Sequence, residues 1–251
     1  MATTKLNGHT AALAHPPSLL SCANAVGRKE GEGPLADTFD LIDSDDTFGE
    51  KSWERSERSM LSKALTMALG KEPSGAPRPD FLFAGDLLNQ CISASFTARE
   101  HGLPFFGLYG ACSTMGEGLT LASLVLDGGF GQKAAVAASS HFCTAERQYR
   151  TPLEYGCQRT PTAQWTVTGA GAVLLGCEGP GPYITHVTVG RVVDKGITDA
   201  NNMGAAMAPA AWDTIRTHLQ DTGRTPADYD LIITGDLGDC GSRLLLELAR
   251  Q

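Results

Sequence analysis

One stretch limits what this chain can fold into. It runs Pro104-Phe105-Phe106-Gly107-Leu108-Tyr109-Gly110-Ala111-Cys112-Ser113-Thr114-Met115-Gly116-Glu117-Gly118, continues as Leu119-Thr120-Leu121-Ala122-Ser123-Leu124-Val125-Leu126, and closes with Asp127-Gly128-Gly129. The opening is apolar and aromatic, as a buried strand is. The chain turns at Gly110-Ala111-Cys112, and the apolar run beyond reads as a buried helix stopped by the glycine pair. Strand, tight turn and helix, with a thiol at the turn, make the geometry of a nucleophile elbow. A cysteine there lies among unpaired N–H groups at the positive end of the helix dipole, and both favour thiolate. A lone cysteine after an apolar strand is by itself more often an inert small hydrophobe. The rest of the chain has to decide between the two.

At 251 residues, 42% hydrophobic and 19% charged, the chain suits one large or two small domains with a sizeable core. The formal net charge is −8 and no Lys/Arg stripe forms, which speaks against a nucleic-acid surface. The seven cysteines include no CxxC pair and no zinc-ligand spacing, so free thiols in a reducing compartment are expected and no resident metal. The N-terminus leads into no secretory-type apolar segment, and no stretch of about 18 apolar residues exists to span a membrane. Peripheral membrane association stays open.

Along the chain, a first strand is expected between Ala11 and Val26, then a surface loop from Gly27 to Asp46. Thr47-Phe48-Gly49-Glu50 has capping-box form. The helix after it places Trp53, Met60, Leu61, Ala64, Leu65 and Ala68 on one face, with Glu54, Arg55, Glu57, Arg58 and Lys63 mostly opposite, and stops near Gly70. Asp80 to Gln90 reads as a buried strand with a polar end. Ligand sites gather at the carboxyl ends of strands in open α/β sheets, so Asp86, Asn89 and Gln90 are pocket candidates. For Asp86 or Asn89 alone, a helix cap or turn is the commoner role. A short helix to His101 follows. Lys133 to His141 is the next strand, a Pro-containing excursion reaches Pro161, and Gln164 to Leu175 returns as a strand. Gly169-Ala170-Gly171 is no dinucleotide fingerprint, because it lies inside a strand pattern. Beyond it, a strand at Tyr183–Val193, a helix at roughly Ala208–Leu219, a strand at Asp230–Asp236 and a helix from Ser242 to Ala249 echo the first half in pattern. Two related α/β halves are expected, at 1–180 and 181–251.

Gly110-Ala111-Cys112-Ser113-Thr114 and the helix after it resemble the active-site turn of thiolase-fold condensing enzymes. Further runs narrow the match: Ala84-Gly85-Asp86-Leu87-Leu88-Asn89-Gln90, Ser139-Ser140-His141, Thr144-Ala145-Glu146-Arg147-Gln148, Val189 to Asp194 with Gly196 to Asp199, Met207 to Ala211, and Ile233-Thr234-Gly235-Asp236-Leu237. Over nearly the whole chain these resemble the stage V sporulation protein AD family of spore-forming bacteria. The resemblance implies an α/β, thiolase-like fold of two halves, the second truncated at its C-terminus. It also implies binding of dipicolinic acid, free or as its calcium chelate, during dipicolinate uptake into the forespore. Membrane proteins of the same system are the implied partners, with a place at the cytoplasmic side of the forespore or spore inner membrane. It further implies a homodimer in which Lys133–Ser140 pairs with its twin.

Thiolase-fold enzymes pair the cysteine with two more groups from the second half. One is a histidine after the strand that here reads Leu231-Ile232-Ile233, where this sequence has Thr234-Gly235-Asp236. Of the remaining histidines only His141 is expected near the elbow, and a hydrogen-bonded core role is the commoner one for such a residue. Three functions therefore compete. The first is a binding protein whose pocket draws on Asp86, Asn89, Cys112, Ser113, Thr114, His141, Arg147 or Arg159, Thr168 and Asp236. It carries no cofactor, and any calcium arrives with the ligand. The second is an acyl-CoA condensing enzyme with Cys112 as nucleophile. The third is a scaffold for membrane partners. The family continues past Gln251, so Leu244, Leu245, Leu246 and Leu248 are expected to lack cover and the chain to be poorly soluble.

Overall fold

The computed structural model describes residues 3–6, 8–149 and 164–251. Its strands are β1 (Thr4–Lys5), β2 (Thr10–Ala12), β3 (Ser18–Val26), β4 (Leu41–Ile42), β5 (Phe81–Gly85), β6 (Phe105–Gly107), β7 (Lys133–Ser140), β8 (Gly169–Gly176) and β9 (His186–Thr188). Its helices are α1 (Arg28–Gly31), α2 (Trp53–Gly70), α3 (Ile92–His101), α4 (Thr114–Asp127), α5 (Met203–Thr222) and α6 (Gly238–Arg250). Two compact units result. The larger holds His15–Tyr149 and Thr166–Thr185, and the smaller holds the described part of the first fourteen residues with His186–Gln251. The change of unit falls at Thr185/His186 where residue 180 was expected, and the N-terminal strands group with the smaller unit because β2 pairs with β9. Among the described residues, no helix is long and apolar enough to cross a membrane.

The larger unit is a six-stranded sheet in the order β4-β3-β8-β7-β5-β6. β8 runs against its neighbours β3 and β7, while β5 is parallel to β6 and β7. Successive side chains on a strand face opposite ways, and here both ways lead into a core. Leu82, Ala84, Ala135, Ala137 and Leu174 pack under α2 and α3, with Met60, Leu61, Ala64, Leu65, Ala94 and Ala98. Phe83, Ala134, Val136 and Leu175 pack under α4, with Ala122 and Leu126. Burial on both faces is why β5 and β7 read as continuous apolar runs rather than alternating ones.

Several expectations shift in this unit. Ser52, accepting the Arg55 N–H at 3.4 Å, caps α2, so the Thr47–Glu50 box is not its start. Thr47 instead donates its hydroxyl to Asp45 in the loop before the helix. Trp53 is exposed and Glu57 is fully buried, the reverse of the expected faces. The loop after Gly27 contains α1 and β4, which extends the sheet beside β3. The strand expected from Gln164 begins at Gly169. The excursion to Pro161 lies outside the described residues. β7 has β8 on one side and β5 on the other, so it cannot pair with a twin. β6 is the open edge on the side of the elbow.

In the smaller unit, β1, β2 and β9 form an antiparallel sheet. α5 begins at Met203, capped by Asn202, so Pro209 sits inside the helix where the sequence suggested a later start. α5 and α6 meet where a side chain on Gly204 would strike the backbone of Leu237 and Gly241. The expected strand at Tyr183–Val193 shrinks to β9, and Asp230–Asp236 forms no strand. Leu231 and Ile233 are 71% and 80% exposed. A strand needs a neighbour to take its N–H and C=O groups, and among the described residues none lies beside this run. Leu246 is exposed, while Leu244, Leu245 and Leu248 are half-buried.

Candidate ligand site at the cysteine elbow

Parallel pairing puts the carboxyl ends of β5, β6 and β7 on one edge of the large sheet. The reversed β8 brings its first residues to the same edge, with Gly169 opposite Ser140 and Val26. The elbow leaves from this edge. Leu108 donates its N–H to the Ala84 carbonyl at 2.9 Å. A Cβ on Gly85 would overlap the Leu108 carbonyl oxygen, so glycine is what lets the elbow strand come this close. Ala111 then takes φ +50°, the left-handed region that costs an alanine on the order of 1 kcal/mol. That kink turns strand into helix at Cys112, which is exposed.

The turn is knitted by its own hydroxyls. Ser113 donates both its N–H and its hydroxyl to the Gly110 carbonyl, at 3.0 and 2.7 Å, and Thr114 donates its hydroxyl to Ala111 at 2.9 Å. Ser113 and Thr114 thus keep only acceptor capacity for a ligand. No side chain caps α4; its first residue, Thr114, donates its N–H to the Ala111 carbonyl, so the turn runs straight into the helix.

The other expected site residues are held by protein. Asp86 is buried and accepts the N–H groups of Leu88 at 2.9 Å and Ala94 at 2.8 Å, which fastens the start of α3. Burial pushes its carboxyl up, against the pull of those N–H donors. Asn89 is exposed and donates its N–H to Glu146 at 2.9 Å. The turn it opens carries two left-handed residues, Gln90 and Cys91, and the buried Cys91 thiol donates to the Leu108 carbonyl at 3.0 Å. Arg147 lies exposed on a short turn, and Arg159 is outside the described residues. Asp236 belongs to the smaller unit, where it accepts the Gly238 N–H at 2.8 Å at the head of α6.

His141 is buried, and Nδ1 accepts the Cys143 N–H at 3.1 Å. Nε2 must then carry the proton, which it donates to the Asp46 carbonyl at 3.1 Å. Trp53 lies against the ring at 5.2 Å. Both nitrogens are engaged with backbone, and neither is offered to Cys112. Thr168 sits in the same cluster, accepting the Phe142 N–H at 3.3 Å and donating its own N–H to Glu30 at 3.1 Å. The structure therefore makes two groups along one sheet edge. Cys112, Ser113 and Thr114 stand with Asp86 and Asn89 around β5 and β6, and His141 stands with Thr168 around β7 and β8. Among the described residues no His, Cys, Asp and Glu cluster could hold a metal ion.

The sequence reading missed Glu57. It projects from α2 into the core, accepts the Ser139 hydroxyl at 3.0 Å and contacts the Thr144 hydroxyl. Burial pushes its carboxyl up to about 7, with Asp86 and Glu54 adding to the shift and Thr144 and Ser139 opposing it. The signal was present, since Glu57 precedes Met60, Leu61 and Ala64 by three, four and seven positions, the spacing of one helix face.

The family model for stage V sporulation protein AD matches residues 7–251. A curated relative, stage V sporulation protein AD of Bacillus subtilis (strain 168), is 47% identical over 249 residues, covering 98% of this chain and 73% of its own. The chain belongs to the stage V sporulation protein AD family. Solved structures carry the fold of this family member further. The 3-oxoacyl-(acyl carrier protein) synthase III of Pseudomonas aeruginosa PAO1 aligns at TM-score 0.60 and 13% identity, over 94% of this chain and 80% of its own. The cerulenin-bound OleA of Xanthomonas campestris aligns at 0.62 and 16%, over 94% and 79%. The fold is thiolase-like, and likeness at that identity speaks for the fold alone.

Unfolded, the Glu57 carboxyl titrates near 4.5, and folded near 7. As pH rises between those values the unfolded chain loses a proton that the folded chain keeps, so the folded state loses stability, and the penalty is complete above about 7. Glu57→Gln removes that slope, and at pH 8 it should be more stable than the parent by on the order of 2 kcal/mol. Urea melts at pH 5 and pH 8 measure it; an unchanged difference between the two pH values contradicts the assignment.

Proposed function

We propose that this sporulation protein binds dipicolinate, free or as its calcium chelate, at the elbow, using a condensing-enzyme pocket without condensing chemistry. It would serve dipicolinate uptake into the forespore with membrane-protein partners, at the cytoplasmic side of the forespore or spore inner membrane, as its family membership suggests. The observation that carries the reading is an exposed thiol at an uncapped helix start while His141, the nearest expected base, has both ring nitrogens on backbone. Proton transfer contributes roughly 100- to 10,000-fold to such chemistry. An elbow whose nearest expected base is held on backbone at both nitrogens suits ligand binding better than attack on a thioester. Glu117 stands over Gly110 in the first turn of α4, so a carboxylate lies at the elbow. A ligand whose charge is offset by calcium suits that neighbourhood better than a bare dianion.

Calorimetry with dipicolinate, with and without calcium, tests this. Cys112→Ala should keep binding within about 1 kcal/mol of the parent, because backbone N–H groups supply the contacts. Cys112→Trp should abolish it by filling the site. Turnover of acyl-CoA by the parent but not by Cys112→Ala would replace this reading with the condensing enzyme.

The proposal includes a homodimer, now through β6 rather than β7. β6 is an open sheet edge, and Phe106 on it and Tyr109 beyond it are each about half exposed. Sedimentation should show a dimer at micromolar concentration and a monomer for Phe106→Asp. A monomeric parent removes the dimer from the proposal.

A further inference from the structure

A second cavity lies along α2, away from the elbow. Arg58, Ser62 and Lys63 line it from the helix, with Glu50 from the loop before α2 and Glu100 from the last turn of α3. Its volume is about 340 Å³. Leu41 of β4 and Met67 of α2 give it an apolar wall, and both pack partly buried against the core. All these residues belong to the larger unit, and none of the elbow residues lines the cavity.

The charged groups around it are under-used. Arg58 Nε is buried, and no described group accepts its proton. Nη2 of the same guanidinium reaches Glu50 only at 3.7 Å, too far for a hydrogen bond. A buried N–H without an acceptor is costly, and native folds rarely leave one so. Nε and Nη2 together make the fork that fits the two oxygens of a carboxylate. Lys63 Nζ lies over the Phe48 ring, 5.1 Å from its centroid, and donates to the Phe48 carbonyl at 3.2 Å. An ammonium has three protons to give, and among the described residues no carboxylate pairs with this one. Glu100 accepts the Ser62 hydroxyl at 2.9 Å through one oxygen, and its other oxygen takes no hydrogen bond from the described residues.

The balance of charge selects the ligand. Two cations and two carboxylates line the cavity. A bare anion would answer Arg58 and Lys63 and be repelled by Glu50 and Glu100, and a bare cation would meet the reverse. A zwitterion answers both signs. The wall of Leu41 and Met67 asks for a short hydrocarbon part between or beside the charges. We propose that this cavity binds a small free amino acid with an aliphatic side chain, its carboxylate on the Arg58 fork and its ammonium on Glu100. The proposal does not rest on the elbow being a dipicolinate site.

Equilibrium dialysis of the full chain with labelled L-leucine tests it, with leucinamide and isocaproate as competitors. Each competitor keeps one charge of the zwitterion and loses the other. Leucine should bind saturably, and each competitor should displace it roughly tenfold less well than leucine itself. Arg58→Lys keeps the charge but removes Nε and the fork, and should weaken leucine roughly tenfold. Glu100→Gln keeps an acceptor for Ser62 and removes the charge, so the gap between leucine and isocaproate should narrow. That variant carries the test if Arg58→Lys does not fold. Cys112→Trp should bind leucine as the parent does. The inference is overturned by the absence of saturable leucine binding, by a competitor that matches leucine, or by either cavity variant behaving as the parent. Loss of leucine binding in Cys112→Trp also overturns it, because the amino acid would then sit at the elbow.

Discussion

The close approach of the Leu108 carbonyl to Gly85 is the contact on which the site depends. It sets β6 against β5, and the end of β6 sets where the chain must kink. Ala111 accepts a left-handed conformation there, and α4 starts without a capping side chain. The same sheet edge is then filled from three further strands. Asp86 follows β5, His141 follows β7, and Thr168 precedes β8. Strand direction alone brings these residues to one edge, since β8 is reversed and presents its beginning where its neighbours present their ends.

Much of the larger unit was legible in the sequence because both faces of its sheet are buried. Continuous apolar runs marked β5 and β7, and the glycine pair after Leu126 marked the end of α4. The failures have physical causes. Glu57 was placed on the solvent side by its charge, although its spacing from Met60 and Ala64 put it in the core. β7 was given to a dimer edge by likeness to a family, while the register of β5 and β8 against it shows both its sides taken. The run Leu231-Ile232-Ile233 has strand composition, and composition cannot supply a neighbour for its backbone. Within the site, residue type identified polar candidates but not their partners. Asp86 and His141 proved to be held by backbone groups, which no spacing rule reveals.

A thiol at a helix start, a histidine with both nitrogens on backbone and, among the described residues, a buried acid without a counter-charge describe a fold whose polar groups mostly hold its own turns. The hydroxyls of Ser113 and Thr114 tie the turn, Asp86 ties α3, and Glu57 ties the Ser139 and Thr144 hydroxyls. Cys112 itself stays exposed at the turn.

Site-resolved iodoacetamide labelling tests the proposed dipicolinate site most directly, because Cys22, Cys112 and Cys143 are all exposed and two of them lie off the elbow. Saturating calcium and dipicolinate should slow alkylation of Cys112 severalfold and leave Cys22 unchanged. A Cys112 that labels at the same rate with and without the ligand would contradict a dipicolinate site at the elbow.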